Sequence, residues 1–269
     1  MRKIVLSFSG GLDSSTLLLK SLKEFDEVTT VFFNYGQKHI IELQRAEELI
    51  EYLRTRGFKI NHHIIDIGGL KQLLNSTLVE GGEIVPDGRY EGDNMKATAV
   101  PNRNKIFSSI VQAIALSQAI KCGCDVKIGM GVNGGDHQPD SKKEFRDLDY
   151  KAFLVGNWDS ERVEYYTPFI KKQKDEVLRE GVDLCRELKL DFNEVYKRTI
   201  TSYKPFSNGN SDYKCGSSVE RIEAFIKNNL VDPITYQDED GVASWEKVTK
   251  WVKGNRPQTW YGHYHGIIK

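Results

Sequence analysis

The sequence predicts an α/β fold built on a parallel five-stranded sheet, with a helical appendage at its C-terminus. Three observations support this fold class. An apolar run over residues 4–8 ends at a glycine pair and is followed by a helical pattern. Further strand and helix patterns alternate along the chain, which is typical of parallel βαβ units. From about residue 230 the composition changes, and Trp and Tyr crowd a short tail.

The turn after the first strand reads Ser9-Gly10-Gly11-Leu12-Asp13-Ser14-Ser15. Its glycines let the backbone approach a ligand, and the N–H groups of the following helix favour an anion. Ser9, Ser14 and Ser15 add hydroxyl donors. The Lys of a Walker A loop is absent, and an acid in a phosphate loop implies a cation such as Mg²⁺ between Asp13 and the phosphates. The alternative is an Asp that caps an ordinary strand–helix turn.

Apolar residues recurring every three to four positions predict the helices, and short apolar runs predict the strands. Further strands are expected at residues 28–33, 59–65, 125–132 and 164–167, and helices at residues 16–22, 40–56, 105–121, 141–154, 173–188 and 217–230. Residues 66–102 are rich in Gly and lack periodicity. A connection of this length predicts a mobile loop over the site.

Polar side chains follow the second and fourth strands at their carboxyl ends, the edge that holds the ligand in open parallel sheets. The first group is Tyr35, Gln37 and His39, and the second is Asn133, Asp136, His137 and Asp140. An ordinary turn explains the first group as well. The second group suits a polar heterocycle or a metal, but a turn with a helix cap explains it equally well.

Two basic residues lie where a helix begins. Arg103, followed by Asn104, opens the helix at 105–121, and Arg at the start of a buried helix needs either a phosphate or a nearby acid as its partner. Lys174 lies near the start of the helix at 173–188 together with Lys171 and Lys172. Cations there oppose the helix dipole, so we expect an anion at Lys174, against the alternative of a solvated basic face.

Composition excludes several classes of protein. The chain has 269 residues, 39% hydrophobic residues and a formal net charge of +0, which disfavours a broad nucleic-acid or membrane surface. No apolar stretch approaches the ~20 residues of a membrane span, and no signal peptide is expected, so the prediction is a cytoplasmic protein. Its four cysteines, Cys122, Cys124, Cys185 and Cys215, are then expected to stay reduced.

The Ser-Gly-Gly-x-Asp-Ser turn resembles the pyrophosphate loop of PP-loop ATP pyrophosphatases, enzymes of the adenine-nucleotide α-hydrolase fold. Over about residues 3–225 the chain more specifically resembles the QueC, or 7-cyano-7-deazaguanine synthase, family. The matching stretches are Phe8–Ser14, Tyr35-Gly36-Gln37-Lys38-His39, Val85-Pro86-Asp87, Val100-Pro101-Asn102-Arg103-Asn104, Gly131-Val132-Asn133 with Asp136 and Pro139-Asp140, Thr167-Pro168 with Lys174, and Cys215-Gly216.

The resemblance implies an ATP-dependent ligase that adenylates the carboxylate of 7-carboxy-7-deazaguanine. Ammonia would give the amide, and a second activation would give the nitrile. It also implies roles for the candidate residues. Ser9, Gly10, Gly11, Asp13, Ser14 and Ser15 would hold the pyrophosphate and Mg²⁺. Arg103 and Lys174 would neutralise phosphate charge. Tyr35, Gln37, His39 and Asn104 would line the nucleotide side, and Asn133, Asp136 and Asp140 would bind the deazaguanine.

Two departures from the family pattern concern the C-terminal region, residues 201–269, which we separate from a nucleotide-binding domain of residues 1–200. Of the four zinc cysteines that the family usually carries, only Cys215 remains. Ser202, Ser218 and Arg221 replace the others, so no zinc site is expected and packing alone would hold the following helix. Should zinc nevertheless be present, His263 and His265 are the first candidate ligands.

The second departure is the aromatic tail with Trp245, Trp251 and Trp260, which extends past the usual end of the family. It leaves open a partner protein that docks there and offers an amine in place of ammonia. A different class, a non-catalytic nucleotide-binding subunit of a larger assembly, and a homodimer are also left open.

Overall fold

A computed structural model describes residues 1–38, 41–79, 81–88, 96–135 and 138–255. Its centre is a five-stranded parallel sheet in the order β3-β2-β1-β4-β5. The strands are β1 (Lys3–Ser7), β2 (Glu27–Asn34), β3 (Ile60–Asp66), β4 (Val126–Gly129) and β5 (Val163–Tyr166). The predicted fold class and all five strands are confirmed. Strand order reverses beside β1, and the carboxyl ends of β1, β2 and β4 therefore surround one crevice.

Helices cover both faces of this sheet. They are α1 (Leu12–Glu24), α2 (Ile41–Thr55), α3 (Arg103–Cys122), α4 (Lys143–Gly156), α5 (Lys174–Glu187), α6 (Phe192–Tyr196), α7 (Gly216–Lys227) and α8 (Trp245–Gly254). One hydrophobic cluster joins β1 to α1, α2 and α5. A second cluster on the opposite face packs α3 and Phe153 of α4 against the same sheet. Among the described residues, no helix is long and apolar enough to cross a membrane.

The described part of the long segment between β3 and α3 is anchored to the core. Its described part includes a 3₁₀ turn at Gly68–Gln72. Leu78, Val79, Val85 and Val100 are buried in the second hydrophobic cluster. These apolar residues are too widely spaced to give a periodic pattern, yet together they anchor the segment to the core. Leu78 and Thr98 of this segment line the candidate site, and its mobility stays a prediction.

The sequence predicts a helical C-terminal region, and the structure adds a short β-hairpin to its helices. Two short antiparallel strands, β6 (Tyr236–Asp238) and β7 (Gly241–Ala243), precede α8. Trp245 stacks on Tyr236 at 6.3 Å between ring centroids, and Trp251 lies edge-on to Tyr213 at 5.8 Å. The two tryptophans thus pack partly buried against the protein's own rings, and the docking of a partner on them stays a prediction. Trp260 lies outside the described residues.

The boundary that we expect at residues 200 and 201 stays a prediction. Residues on both sides share a core, because Ala224 and Phe225 of α7 belong to the same hydrophobic cluster as Val177 and Leu178 of α5. The appendage also has a cluster of its own, which includes Ile222, Tyr236 and Val248. The C-terminal region is therefore packed onto the sheet domain through α7.

One cysteine prediction is wrong. The structure joins Cys122 and Cys124 in a disulfide, whereas all four thiols were expected to stay reduced. Helix α3 ends at Cys122 and the chain turns back at once, which brings the two Cα atoms to 5.3 Å. Cys185 and Cys215 are free and buried, as expected.

Candidate active site

The loop between β1 and α1 forms one end of the candidate site. Gly10 has a φ of 71°, and a Cβ at this position would lie 3.1 Å from the Cβ of Ala46. A side chain is therefore excluded twice, by backbone strain and by contact with α2. Gly11 is the N-cap of α1 and makes no side-chain capping bond. The first N–H groups of α1 thus face the crevice, as in anion-binding helix termini.

Two of the three serines in this loop hold its shape. The backbone N–H of Ser9 donates to Oγ of Ser14 at 3.3 Å, and the two hydroxyl oxygens are 3.1 Å apart. Oγ of Ser14 also donates to the carbonyl of Gly11 at 3.2 Å. Ser15 differs from its predicted role as a hydroxyl donor, because its side chain is fully buried and turned away from the cavity. The helical period places it on the core-facing side of α1.

Asp13 and Lys174 meet across the cavity. Nζ of Lys174 lies 3.6 Å from Oδ2 of Asp13 and 2.9 Å from Oε2 of Glu220. Lys174 is the first residue of α5, which starts with a capping box between Gln173 and Glu176. Its ammonium is therefore held at the phosphate loop by two carboxylates from separate helices. The sequence predicted the lysine but missed Glu220, which is 46 positions away along the chain.

Arg103 enters the cavity from the first turn of α3. A buried network fixes this helix against its neighbours. The ammonium of Lys105 pairs with Asp149, and Nε2 of Gln112 donates to Oδ2 of Asp149 at 3.1 Å. The Arg103 guanidinium lies 5.8 Å from the centroid of the Tyr35 ring, with Nη1 3.5 Å from the Tyr35 hydroxyl. No carboxylate of the described residues pairs with this guanidinium, which favours an anion as its partner.

The turn after β2 supplies the adjoining wall. Oε1 of Gln37 accepts a hydrogen bond from the backbone of Tyr35 at 2.9 Å, so this amide holds the turn in shape while it lines the cavity. The ammonium of Lys38 donates to the carbonyls of Gly82 and Glu83, each at 3.0 Å. The turn is thereby tied to the segment that follows β3. The predicted site residue His39 lies outside the described residues.

The group predicted after β4 is only partly at the cavity. Asn133 is buried and lines it, and its Oδ1 accepts from the backbone of Gly135 at 2.9 Å. Gly131 brings this turn close to the phosphate loop, because a Cβ there would lie 3.1 Å from the backbone of Ser14. Asp140 does not line the cavity, and its carbonyl accepts from Arg146. Asp136 lies outside the described residues.

Together these residues line one cavity of about 300 Å³ at the carboxyl edge of the sheet. It includes the predicted residues Ser9, Gly11, Asp13, Ser14, Tyr35, Gln37, Arg103, Asn104, Asn133 and Lys174. Sequence reasoning missed Glu42 and Glu220, which line the same cavity from α2 and α7. In the sequence both appear as acidic residues within amphipathic helices. Most solvent-exposed glutamates have the same pattern, so it does not single these two out.

The donor set fits Mg²⁺ bound together with phosphates. Mg²⁺ commonly uses one or two carboxylates and takes its remaining ligands from water and phosphate oxygens. Asp13 supplies such a carboxylate beside the N–H groups of α1, and Lys174 adds a positive charge. No group of three or more His, Cys, Asp or Glu side chains suited to a metal is found in the described part of the chain.

Comparison with known proteins identifies the family. Residues 3–229 match the family model described as queuosine biosynthesis protein QueC. The chain belongs to the QueC family. A relative from Marinomonas sp. (strain MWYL1), named 7-cyano-7-deazaguanine synthase, is 36% identical over 237 residues, which cover 87% of this chain and 98% of the relative. A protein of the same name from Hahella chejuensis is 39% identical over 239 residues, covering 87% and 93%.

Among solved structures, NMN synthetase from Francisella tularensis matches with a TM-score of 0.38 and 13% identity, covering 98% of this chain and 90% of that one. The QueC family consists of ATP-dependent PP-loop enzymes, so the predicted enzyme class is confirmed. The crevice described above contains the loop that gives these enzymes their name.

At three of the positions where the family resemblance implies zinc cysteines, the side chains still converge. Sγ of Cys215 lies 3.7 Å from Oγ of Ser202 and 3.2 Å from Oγ of Ser218, and Ser217 adds a third hydroxyl at 3.4 Å. Arg221, at the fourth position, turns away and pairs with Asp232. The expectation that packing alone holds α7 is wrong, because hydrogen bonds and a buried ion pair hold it as well.

Proposed function

We propose that this QueC-family enzyme adenylates the carboxylate of 7-carboxy-7-deazaguanine and joins it to ammonia, giving first the amide and then 7-cyano-7-deazaguanine. One observation carries the proposal. The glycine loop with Asp13, the Arg103 guanidinium and the Lys174 ammonium line a single cavity at the carboxyl edge of the sheet. The names of the relatives supply the product, and the family resemblance supplies the substrate.

The first bond change occurs at the α-phosphate of ATP. An oxygen of the substrate carboxylate attacks this phosphorus, and pyrophosphate leaves with the electron pair of the broken P–O bond. Ammonia then attacks the acyl carbon, and AMP leaves with that oxygen. In the second round the amide oxygen attacks another ATP in the same way, and loss of AMP and protons leaves the nitrile. Two ATP are consumed, and both carboxylate oxygens leave in AMP.

Positioning and charge neutralisation are the protein's contributions to these steps. The N–H groups at the start of α1 and the Ser9 and Ser14 hydroxyls bind the leaving pyrophosphate. Asp13 would hold Mg²⁺, which when bound neutralises phosphate charge. Lys174 is held at the same loop by Asp13 and Glu220, and phosphate oxygens can replace either carboxylate around its ammonium. Arg103 has no carboxylate partner among the described residues and supplies a second cation to the spreading negative charge.

The two alternatives have less support. A protein amine as the acceptor was suggested by the aromatic tail, but Trp245 and Trp251 each pack partly buried against a ring of the appendage itself. A non-catalytic binding subunit has no need of an acid inside a phosphate loop. Asp13 is such an acid, and its place beside Lys174 favours an enzyme that handles a metal–nucleotide complex.

The proposal is tested with the purified protein, ATP, Mg²⁺, ammonium and 7-carboxy-7-deazaguanine. Mass spectrometry should find the amide and then the nitrile, with AMP and pyrophosphate released. Asp13→Asn keeps the size of the side chain and removes its charge, so pyrophosphate release is expected to fall at least about 100-fold. The matched control is Asp26→Asn at the opposite edge of the sheet, where Asp26 pairs with Arg2 on the surface.

Wild-type protein that binds ATP but releases no pyrophosphate with this substrate would overturn the proposal in favour of the binding subunit. Adenylate that accumulates in the presence of ammonium and hydrolyses slowly would favour a protein amine as the acceptor. Near-normal turnover by Asp13→Asn would remove the metal-bridging role from this residue.

A further inference from the structure

An acidic side chain lies inside the cavity without a role in phosphate binding. Glu42, in the first turn of α2, lines the cavity with Tyr35 and Arg103 and is only partly exposed to solvent. Its carboxylate takes part in none of the hydrogen bonds or ion pairs found among the residues that the structure describes. Burial raises the pKa of Glu42 to about 7, although the charge of Arg103 lowers it. Burial of this carboxylate in its ionised form therefore carries a cost in stability.

A helix-dipole role does not explain this placement. An acid in the first turn of a helix does interact favourably with the dipole, but a solvent-exposed acid does so without losing its hydration. Glu47, in the second turn of the same helix, is an exposed glutamate and serves as the comparison. Glu42 instead points to a ligand that brings hydrogen-bond donors into the cavity, because such donors repay the cost of burial.

The wall beside Glu42 is flat and apolar. The rings of Phe33 and Phe107 are stacked, with centroids 4.2 Å apart and planes 5° from parallel. Tyr35 lies 5.6 Å from Phe107, and the buried Leu78 lines the same part of the cavity. Aromatic and aliphatic side chains along one wall of a cavity suit a planar heterocycle. These side chains and Glu42 line the same cavity, so one planar ligand can meet both an apolar surface and a hydrogen-bond acceptor there.

We infer that Glu42 binds the donor edge of the substrate base, accepting hydrogen bonds from a ring N–H and an adjacent exocyclic amino group, as on the pyrimidine side of a 7-deazaguanine. The inference rests on the proposed function for the identity of the substrate. The carboxylate of this base is attached to the opposite ring. With the donor edge at Glu42, the carboxylate is directed away from Glu42, as attack on a nucleotide at the phosphate loop requires.

An ionised carboxylate discriminates between the two bases that this enzyme handles. Its two oxygens accept from two adjacent donors, which a guanine-type edge presents. Adenine presents one amino donor flanked by acceptor nitrogens, so one oxygen would face a lone pair. Glu42 therefore selects the deazaguanine over the adenine of ATP in this part of the cavity. This assignment differs from the predicted role of Asp136 and Asp140, of which Asp140 does not line the cavity.

The test is steady-state kinetics with Glu42→Gln, with Glu47→Gln as the matched control on the exposed face of α2. Loss of a charged acceptor for two hydrogen bonds is expected to raise KM for 7-carboxy-7-deazaguanine about 10- to 100-fold and to leave KM for ATP within about twofold. Wild-type protein should prefer this substrate over an analogue without the 2-amino group by a similar factor. Glu42→Gln should lose that preference, and Glu47→Gln should match the wild type in every measurement.

Three results would overturn the inference. They are an unchanged KM for the substrate in Glu42→Gln, a rise confined to KM for ATP, and a wild-type protein indifferent to the missing amino group. The last measurement needs no variant, so it decides the matter even if Glu42→Gln does not fold.

Failure of the proposed function would look different, because the wild type would then release no pyrophosphate with 7-carboxy-7-deazaguanine. Calorimetric binding of 7-deazaguanine and of 7-deazaadenine still tests the edge in that case. Tighter binding of 7-deazaguanine to the wild type than to Glu42→Gln is expected, and equal binding of both bases to the wild type would overturn the inference.

Discussion

The buried ion pair of α7 gives the sharpest prediction for stability. Arg221 and Asp232 have side chains that are 1% and 0% exposed. Nε and Nη2 of Arg221 donate to the two carboxylate oxygens at 2.6 and 2.9 Å, which makes the pair bidentate. Nη1 donates to Thr199 at 2.7 Å and to Thr201 at 3.2 Å, and Nη2 also reaches the carbonyl of Tyr196 at 3.2 Å. The guanidinium is thus fully bonded inside the protein.

We expect Asp232→Asn to lower the free energy of unfolding by about 3–5 kcal/mol, because it leaves a buried guanidinium without its counter-charge. The amide can accept from Arg221 through one atom only. Its NH₂ group would point donors at the donors of Arg221. The hydroxyl of Tyr236, which donates to Oδ2 of Asp232 at 2.8 Å, loses a charged acceptor as well.

Urea denaturation followed by circular dichroism measures the loss. Asp26→Asn is the control. Asp26 forms an exposed ion pair with Arg2 at 3.5 Å and accepts from the Arg2 backbone at 2.7 Å, a bond that the Asn oxygen can also accept, so the midpoint should move much less. Arg221→Met combined with Asp232→Leu should cost less than the two single changes added together. Removing both charges leaves neither one buried alone, although Thr199 and Thr201 lose their donor.

A loss below about 1 kcal/mol for Asp232→Asn would refute this reasoning. It would mean that water reaches the Arg221 guanidinium when its partner is removed. Burial of the pair would then not determine how much the pair contributes to the free energy of unfolding. Additive costs in the double variant would refute the coupling in the same way.

Three further predictions concern the metal, the tail and pH. The purified protein should hold no stoichiometric zinc by elemental analysis, because Cys215 is surrounded by serine hydroxyls, and about one zinc per chain would contradict this. Truncation from residue 231 should unfold α7, since it removes Asp232, and a melting temperature equal to that of the full chain would contradict this. Burial raises the pKa of Glu42 from 4.5 to about 7. Between pH 4.5 and pH 7 the folded protein therefore keeps a proton on Glu42 that the unfolded chain has lost. The free energy of unfolding must then fall as pH rises through this window. Glu42→Gln should therefore stabilise the protein by about 1–2 kcal/mol at pH 8 and not at pH 4. This gain is smaller than the full pKa shift implies, because the side chain is partly exposed. Equal effects of the substitution at both pH values would contradict the raised pKa.

The sequence by itself determined the features that depend on neighbouring residues. The strand–turn–helix around Gly10 and Gly11 is a local signal, since glycine spacing and helix start lie within seven residues. The alternation of strands and helices predicted the parallel sheet, and the ends of parallel strands predicted where Asp13 and Tyr35 would meet. Arg103 was predicted because a charged residue opening an apolar helix is anomalous on packing grounds.

Only the tertiary structure decided which distant side chains share the cavity and which are buried. Glu42 and Glu220 look like ordinary acids of amphipathic helices, and their positions at the site depend on helices packed from other parts of the chain. The helical period turned Ser15 into the core, although it lies next to Ser14 in the motif. The pair of Arg221 with Asp232 arises where α7 meets the segment before β6. Strands of three residues, such as β6 and β7, are too short to carry a period, so their pairing follows from the apolar surface that α7 and α8 bury.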